Sequence, residues 1–324
     1  MKYFITDRRC GLGDSFLNLA ATWWFAKKHN RSVIVDWRQL PYNISNWNRE
    51  GGEFHRHKIN LFFSLFKEPP PLEGVSFENP EAFSFLYFDD NNNPLKDIND
   101  IPIIRPRFHH LDTSRLIQHE DILRFRPRVG DKFMYPHFPS SDCGIGEFDL
   151  PCFFNHFKIQ PTILNTIEAF REEHFTKEKT LGIHLRHGNG ERKTQCDIDR
   201  VTEDSIRKIQ NALPDYLDYN IFVCSDNQYV EECFKKNIPS SFSYPKICPP
   251  EDTESLLHQT HQGALHYHPD LNPIQSIQEA FIDMVLLSKC TALAYSRDSV
   301  FNCLSRCTVK KLIPLTNIVY DPQT

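Results

Sequence analysis

The chain is poor in glycine, with 12 in 324 residues, and has no excess of positive charge: 37 Lys and Arg stand against 42 Asp and Glu, a formal net charge of -5. Few glycines beside 26 Phe and 22 Pro exclude the disordered class and describe a rigid, aromatic-rich chain with long irregular connections. Without a basic field the chain has nothing to hold nucleic acid or anionic lipid, which leaves a neutral or small anionic ligand. No C-x-x-C pair occurs among the ten cysteines, which are scattered from Cys10 to Cys307 and read as reduced, mostly buried thiols. Met1 to Thr6 does not resemble a signal peptide or membrane span, because it is short and Asp7, Arg8 and Arg9 interrupt it. A soluble cytoplasmic protein with no membrane span is expected. The length exceeds one comfortable core, so two domains are expected, residues 1–155 and 156–324.

The most informative stretch is Leu181-Gly182-Ile183-His184-Leu185-Arg186-His187-Gly188-Asn189-Gly190-Glu191. A short buried strand stops there in a polar loop. Gly188 and Gly190 bracket Asn189, so successive N–H groups can point the same way, and Arg186 adds a planar fork of donors suited to phosphate oxygens. The loop therefore suits a pyrophosphate, at the strand end where open α/β sheets bind ligands.

The spacing along the rest of the chain predicts alternating elements. Tyr3 to Thr6 reads as a strand, Arg8 to Asp14 as a turn carrying Gly11 and Gly13, Ser15 to Lys28 as a helix and Ser32 to Asp36 as a strand. This β-α-β unit resembles the start of a dinucleotide fold, with Asp36 where an acidic residue takes a ribose, but Phe16 stands where a third glycine belongs. Residues 39–149 show little periodicity and read as irregular insertions, whose Tyr42, Trp47, Phe54, His55, Phe108 and His109, with Trp37, could stack on sugars or fill a core. Regular alternation then returns. Helices are expected over Pro161 to His174, Thr202 to Leu213, Gln228 to Lys236, Ile274 to Ser288 and Ser299 to Arg306. Strands are expected at Leu181 to Leu185, Asn220 to Ser225, Ala292 to Tyr295 and Lys311 to Pro314, and the alternation implies a parallel sheet.

Three blocks resemble one family. Leu181 to Glu191, the opening Arg8-Arg9-Cys10-Gly11-Leu12-Gly13-Asp14 with Asp36-Trp37-Arg38, and Ala280 to Cys290 followed by Ser299-Val300-Phe301 are similar to the rhizobial nodulation protein Z-like α1,6-fucosyltransferases of glycosyltransferase family 23. These are related to the eukaryotic core α1,6-fucosyltransferases. Residues 39–151 show no counterpart. The resemblance implies an α/β protein of two Rossmann-like domains, of the GT-B type, whose C-terminal domain holds GDP-fucose and whose N-terminal domain meets a GlcNAc-containing, chitooligosaccharide-like acceptor. It further implies that Arg186 grips the donor pyrophosphate, that His184 and Asp283 contact the guanine, and that Ser299 contacts a phosphate. Asp226, in Cys224-Ser225-Asp226, and His266 match family positions. His187 stands where the eukaryotic enzymes carry a second arginine. His184, Arg186, His187, Asn189, Asp226, Asp283, Ser299, Gly11 and Gly13 make up the expected donor site, and His266 has no assigned role.

Fucosyl transfer puts negative charge on the departing pyrophosphate while the sugar becomes oxocarbenium-like. Divalent metal or fixed Arg and N–H donors can absorb that charge, and the resemblance implies the second, with no metal and no cofactor beyond the GDP-fucose substrate. Glu191 is the candidate general base, with Asp197 and Asp199 as alternatives, and direct displacement would invert the anomeric centre. Asp197-Ile198-Asp199 has the D-x-D form of metal-dependent glycosyltransferases, yet its polar run reads as a loop. His258, His261, His266 and His268 could bind zinc but read as a solvated loop. Two other classes compete: an NAD-dependent oxidoreductase, which needs the absent third glycine, and a non-catalytic carbohydrate- or nucleotide-binding protein, which would not need Arg186 in a glycine loop.

Overall fold

The computed structural model describes residues 2–7, 11–38, 60–80, 101–104, 112–125, 150–186, 195–247, 272–296 and 299–315. The chain divides into two compact units, Met1–Gln160 and Pro161–Thr324.

In the first unit the strands are β1 (Tyr3–Thr6), β2 (Ser32–Val35), β3 (Phe77–Glu78), β4 (Ile103–Ile104) and β5 (Ile122–Phe125), and the helices are α1 (Leu12–Lys28), α2 (Leu61–Leu65), α3 (Asp112–His119) and α4 (Leu150–Asn155). The sheet order is β3-β2-β1-β5-β4 with every pair parallel. The apolar runs of β1 and β2 are buried on both faces, as a parallel sheet demands. Residues 39–149 are thus not simply insertions. They supply β3, β4 and β5, whose two- and four-residue lengths are too short to show a period.

α1 begins at Leu12, earlier than expected, so Gly13 lies in its first turn and Gly11 is its N-cap. Phe16 explains the missing third glycine: its ring packs edge-on against Trp37, Phe66 and Phe154, with centroids 5.2, 5.8 and 4.9 Å away. A large side chain fills this helix–sheet junction where a dinucleotide fold needs close approach. Residues 156–160 belong to the same unit, where Phe157 packs on Phe62 and Phe66 and Gln160 Nε2 donates to the carbonyls of Phe63 and Phe66.

The second unit carries β6 (Lys179–Leu185), β7 (Tyr219–Ser225), β8 (Ser241–Phe242), β9 (Ala292–Ser296) and β10 (Lys311–Leu315), with α5 (Pro161–His174), α6 (Gln195–Ala212), α7 (Gln228–Asn237), α8 (Pro273–Ser288) and α9 (Cys303–Thr308). Its all-parallel order, β10-β9-β6-β7-β8, is the mononucleotide-binding order, and it reverses direction between β6 and β9. Both units are therefore Rossmann-like, as expected. The core gathers Leu181, Ile183 and Leu185 from β6 with Ile221 and Val223 from β7, Val230 and Phe234 from α7, and Ala292 and Ala294 from β9. On α5, Ile163, Ile167 and Phe170 are buried and Leu164 is exposed. Among the described residues no helix is long and apolar enough to cross a membrane.

Candidate donor site at the end of the second sheet

The crevice of a doubly wound sheet opens where the strand order reverses, beyond the carboxyl ends of the flanking strands. Here those strands are β6 and β9, and a backbone-to-side-chain bond joins their ends: Arg186 N–H donates to Ser296 Oγ at 3.1 Å. Arg186 is half-buried. Ser299 is buried, with its N–H donating to the carbonyl of Ser296 at 3.2 Å.

His184 lies two residues before Arg186, in β6, and is buried. Its ring stacks on Phe301 at 5.1 Å and its Nδ1 meets Asn302 Nδ2 at 3.3 Å. The same amide nitrogen donates to the carbonyl of Ser296 at 3.2 Å, which fixes the orientation of the amide. Nδ1 is therefore the acceptor, and the proton of the neutral ring sits on Nε2. Burial pushes the imidazole pKa down to about 3; Arg186 and Lys246 push the same way, and Asp226 opposes them in part. Asp226 is half-buried directly after β7.

Asp283 lies on the inner face of α8, whose start is fixed by Pro273 at N1 and by Asn272, whose side chain accepts from the N–H groups of Ile274 and Gln275. Its Oδ2 accepts from Lys246 Nζ at 2.6 Å, the Cys224 thiol hydrogen-bonds the same carboxylate, and Oδ1 is buried with no nitrogen or oxygen partner. Lys246 also donates to Glu231 Oε1, which accepts from Ser225 N–H at 2.9 Å. No periodic signal marks Lys246, which follows a two-residue edge strand. Glu231 had one: it shares a helix face with Phe234 and Ile238, both buried, and a carboxylate on an apolar face needs a partner. Burial raises the Asp283 carboxyl to about 6; Lys246 counters this and Glu231 adds to it.

The structure thus brings His184, Arg186, Ser299, Asp226 and Asp283 to one end of one sheet. His187, Asn189 and Glu191 lie outside the described residues, as do His258, His261, His266 and His268, and Tyr42, Trp47, Phe54, His55, Phe108 and His109. Gly11 and Gly13 belong to the other unit, at the N-terminus of α1. Trp37 is no sugar platform: it is buried edge-on between Phe16 and Phe62. Asp36 is not poised for a ribose, because both its oxygens accept from the Arg38 guanidinium, at 2.8 and 2.9 Å, and the pair is buried.

Asp197 and Asp199 lie in α6 and not in a loop, and that helix buries Ile198, Val201, Ile206 and Ile209. Asp199 hydrogen-bonds the Tyr229 hydroxyl. Of the described cysteines Cys224, Cys290 and Cys303 are buried, Cys233 is half-buried, and Cys152 and Cys307 are exposed.

A family model described as nodulation protein Z (NodZ) matches residues 1–88 and 147–320. The gap lies within the stretch for which the sequence offered no counterpart. Nodulation protein Z of Azorhizobium caulinodans is 26% identical over 323 residues, covering 92% of this chain and 86% of that protein. Its namesake from Bradyrhizobium diazoefficiens is 26% identical over 335 residues, covering 96% and 80%. The crystal structure of NodZ alpha-1,6-fucosyltransferase co-crystallized with GDP has the same fold at a TM-score of 0.62 and 19% identity, covering 97% of this chain and 95% of that one. POFUT1 in complex with GDP-fucose follows at a TM-score of 0.53 and 8% identity, with 97% of each chain covered.

Proposed function

The chain belongs to the nodulation protein Z family, and from that premise we propose that it is a glycosyltransferase moving fucose from GDP-fucose to a GlcNAc-containing oligosaccharide. Curated relatives carry the nodulation protein Z name along most of their length, and a NodZ structure was soaked with GDP-fucose.

One observation carries the donor assignment: a buried hydrogen-bond donor and a buried acceptor at the switch point of a Rossmann-like sheet. Guanine presents a carbonyl beside two N–H donors on one edge. The Nε2–H of neutral His184 suits the carbonyl, and Asp283 Oδ1 suits the N–H groups. Arg186 would hold the pyrophosphate, with Ser299, Asn189 and His187 beside it and Asp226 at the neighbouring strand end. As the glycosidic bond to the phosphate breaks, a guanidinium and fixed N–H groups stabilise the charge on the leaving group without a metal ion.

The acceptor hydroxyl, deprotonated by Glu191, would attack the opposite face of the sugar and invert the anomeric centre. The first unit would meet the acceptor, chitooligosaccharide-like and joined in α1,6 linkage. Residence in the cytoplasm belongs to the same reading.

Calorimetric titration of the full chain with GDP, GDP-fucose, GDP-mannose, UDP and NAD, with and without EDTA, tests this reading. Tight binding of GDP and GDP-fucose that ignores EDTA is the expected result. Transfer to chitooligosaccharide should vanish in Arg186→Ala while the fold stays intact. Near-normal transfer in that variant, or loss of activity with chelator and its return with Mn²⁺, would overturn the mechanism.

A further inference from the structure

We propose that Lys246 is a positioning residue for base recognition: bridging Asp283 Oδ2 and Glu231 Oε1, it holds the Asp283 carboxylate ionised and turned so that Oδ1 accepts from the N–H groups of a guanine edge. This deepens the donor-site reading and rests on it.

All three side chains are buried: Lys246 is 9% exposed, Glu231 6% and Asp283 2%. Three charges in such a place are costly unless each is paired and hydrogen-bonded. A single ammonium serves two carboxylates. Among the described residues Lys246 is the one cation bonded to Asp283. It is held from two sides, by α8 through Asp283 and by α7 through Glu231, whose Oε1 is itself fixed by Ser225 N–H at the carboxyl end of β7. That arrangement occupies Oδ2 and leaves Oδ1 buried with no nitrogen or oxygen donor, only the weakly donating Cys224 thiol lying against the carboxylate.

The other groups around Asp283 cannot replace the cation. Cys224, on β7, is a thiol whose ionisation is pushed well up by burial and by the Asp283 charge. Tyr244, on the segment before Lys246, has its ionisation raised by burial and by the charges of Glu279 and Asp283. Glu279, one turn earlier on α8, accepts from Ile247 N–H and Gln275 Nε2. Glu231 is a second anion. With Lys246 removed, burial and two anions would leave Asp283 protonated, and a protonated carboxyl loses its acceptor role toward N–H groups.

The readout is the ratio of GDP to IDP affinity, because inosine lacks the exocyclic amine while the shared pyrophosphate titrates alike in both. Wild type, Lys246→Arg and Lys246→Met chains are titrated calorimetrically between about pH 5 and pH 8.5, a range spanning ordinary and raised carboxyl values. In wild type the preference for GDP should fade as pH falls through about 6. In Lys246→Met the midpoint moves upward, so the preference is lost at neutral pH, by about tenfold for each unit separating the new midpoint from the buffer, and returns toward alkaline pH. Lys246→Arg keeps the cation and stays close to wild type.

A folded Lys246→Met chain with the wild-type pH profile overturns the proposal. If that variant does not fold, Glu231→Gln gives the converse test: loss of the competing anion moves the midpoint down, and an unmoved midpoint overturns the role of the network. A wild-type chain without preference for GDP at any pH overturns the donor-site reading and this proposal with it. Selective wild type with an unchanged Lys246→Met profile overturns this proposal alone.

Discussion

Asn302 donates to Nδ1 of His184 at 3.3 Å, and the same amide nitrogen is committed to the carbonyl of Ser296. The pair therefore sets which imidazole nitrogen faces the donor site as an N–H group. Asn302→Asp replaces the donor by an acceptor, draws the proton to Nδ1 and turns Nε2 into an acceptor. GDP affinity should fall by about 10- to 100-fold, the size expected when a buried hydrogen bond becomes a mismatch. Calorimetry measures the loss, and nitrogen chemical shifts of the imidazole report the tautomer. An unchanged tautomer, or unchanged affinity, would remove Asn302 from the site.

The environment of Asp36 gives a second expectation. Both its oxygens are held by Arg38 in a buried, bidentate pair. Removing one partner strands the other charge, so Asp36→Ala should lower stability by about 3–5 kcal/mol, seen as a lower urea midpoint. A ribose-binding role would show the reverse: NAD binding in wild type, lost in the variant, with little change in midpoint.

Gly182 is fixed by a close approach. A Cβ there would lie 2.8 Å from Cys290 Sγ and 3.1 Å from Leu287 Cδ2, where the end of α8 crosses β6. Gly182→Ala should cost about 1–3 kcal/mol through overpacking. The double variant Gly182→Ala with Cys290→Ala removes the nearest sulfur and should recover part of the loss, a non-additivity that thermal melting of the four chains measures. Additive losses would mean that the contact does not limit the site.

These cases show where the sequence was legible. His184, Arg186, Asp283 and Ser299 are legible as candidates because they lie in contiguous blocks beside strongly apolar elements, β6, α8 and β9. Lys246 and Asn302 were not singled out. Each acts across the fold, Lys246 on a helix 37 positions away and Asn302 on a strand 118 positions away, and no local pattern encodes such a partner. The same limit hid the first sheet. β5 pairs with β1 across some 120 residues, and a four-residue strand rich in buried side chains shows no alternation to read. Asp36 misled for a related reason: its position fitted a ribose-binding acid, while the guanidinium two residues later had already taken both oxygens.

The two buried titratable groups act on stability in opposite directions, and this gives a pH test independent of ligand. His184 has a native value of about 3 against an ordinary 6.5, so the unfolded chain takes up the proton first. Its contribution to stability is complete above about pH 6.5 and is lost as pH falls toward about 3. Asp283 has a native value of about 6 against an ordinary 3.8, so here the native chain takes up the proton first, and ionising it lowers stability as pH rises from about 4 to about 6. Acidification from pH 7 to pH 5 therefore costs on the order of 2 kcal/mol through His184 and returns on the order of 1 kcal/mol through Asp283. In His184→Gln the first contribution is absent and the second remains, so this variant should gain stability relative to wild type on going from pH 7 to pH 5. Urea midpoints of the two chains at both pH values measure the difference, from which all groups common to them cancel. Parallel pH dependence in wild type and variant would mean that His184 is not held neutral by its burial, and the Nε2–H assigned to the guanine carbonyl would lose its basis.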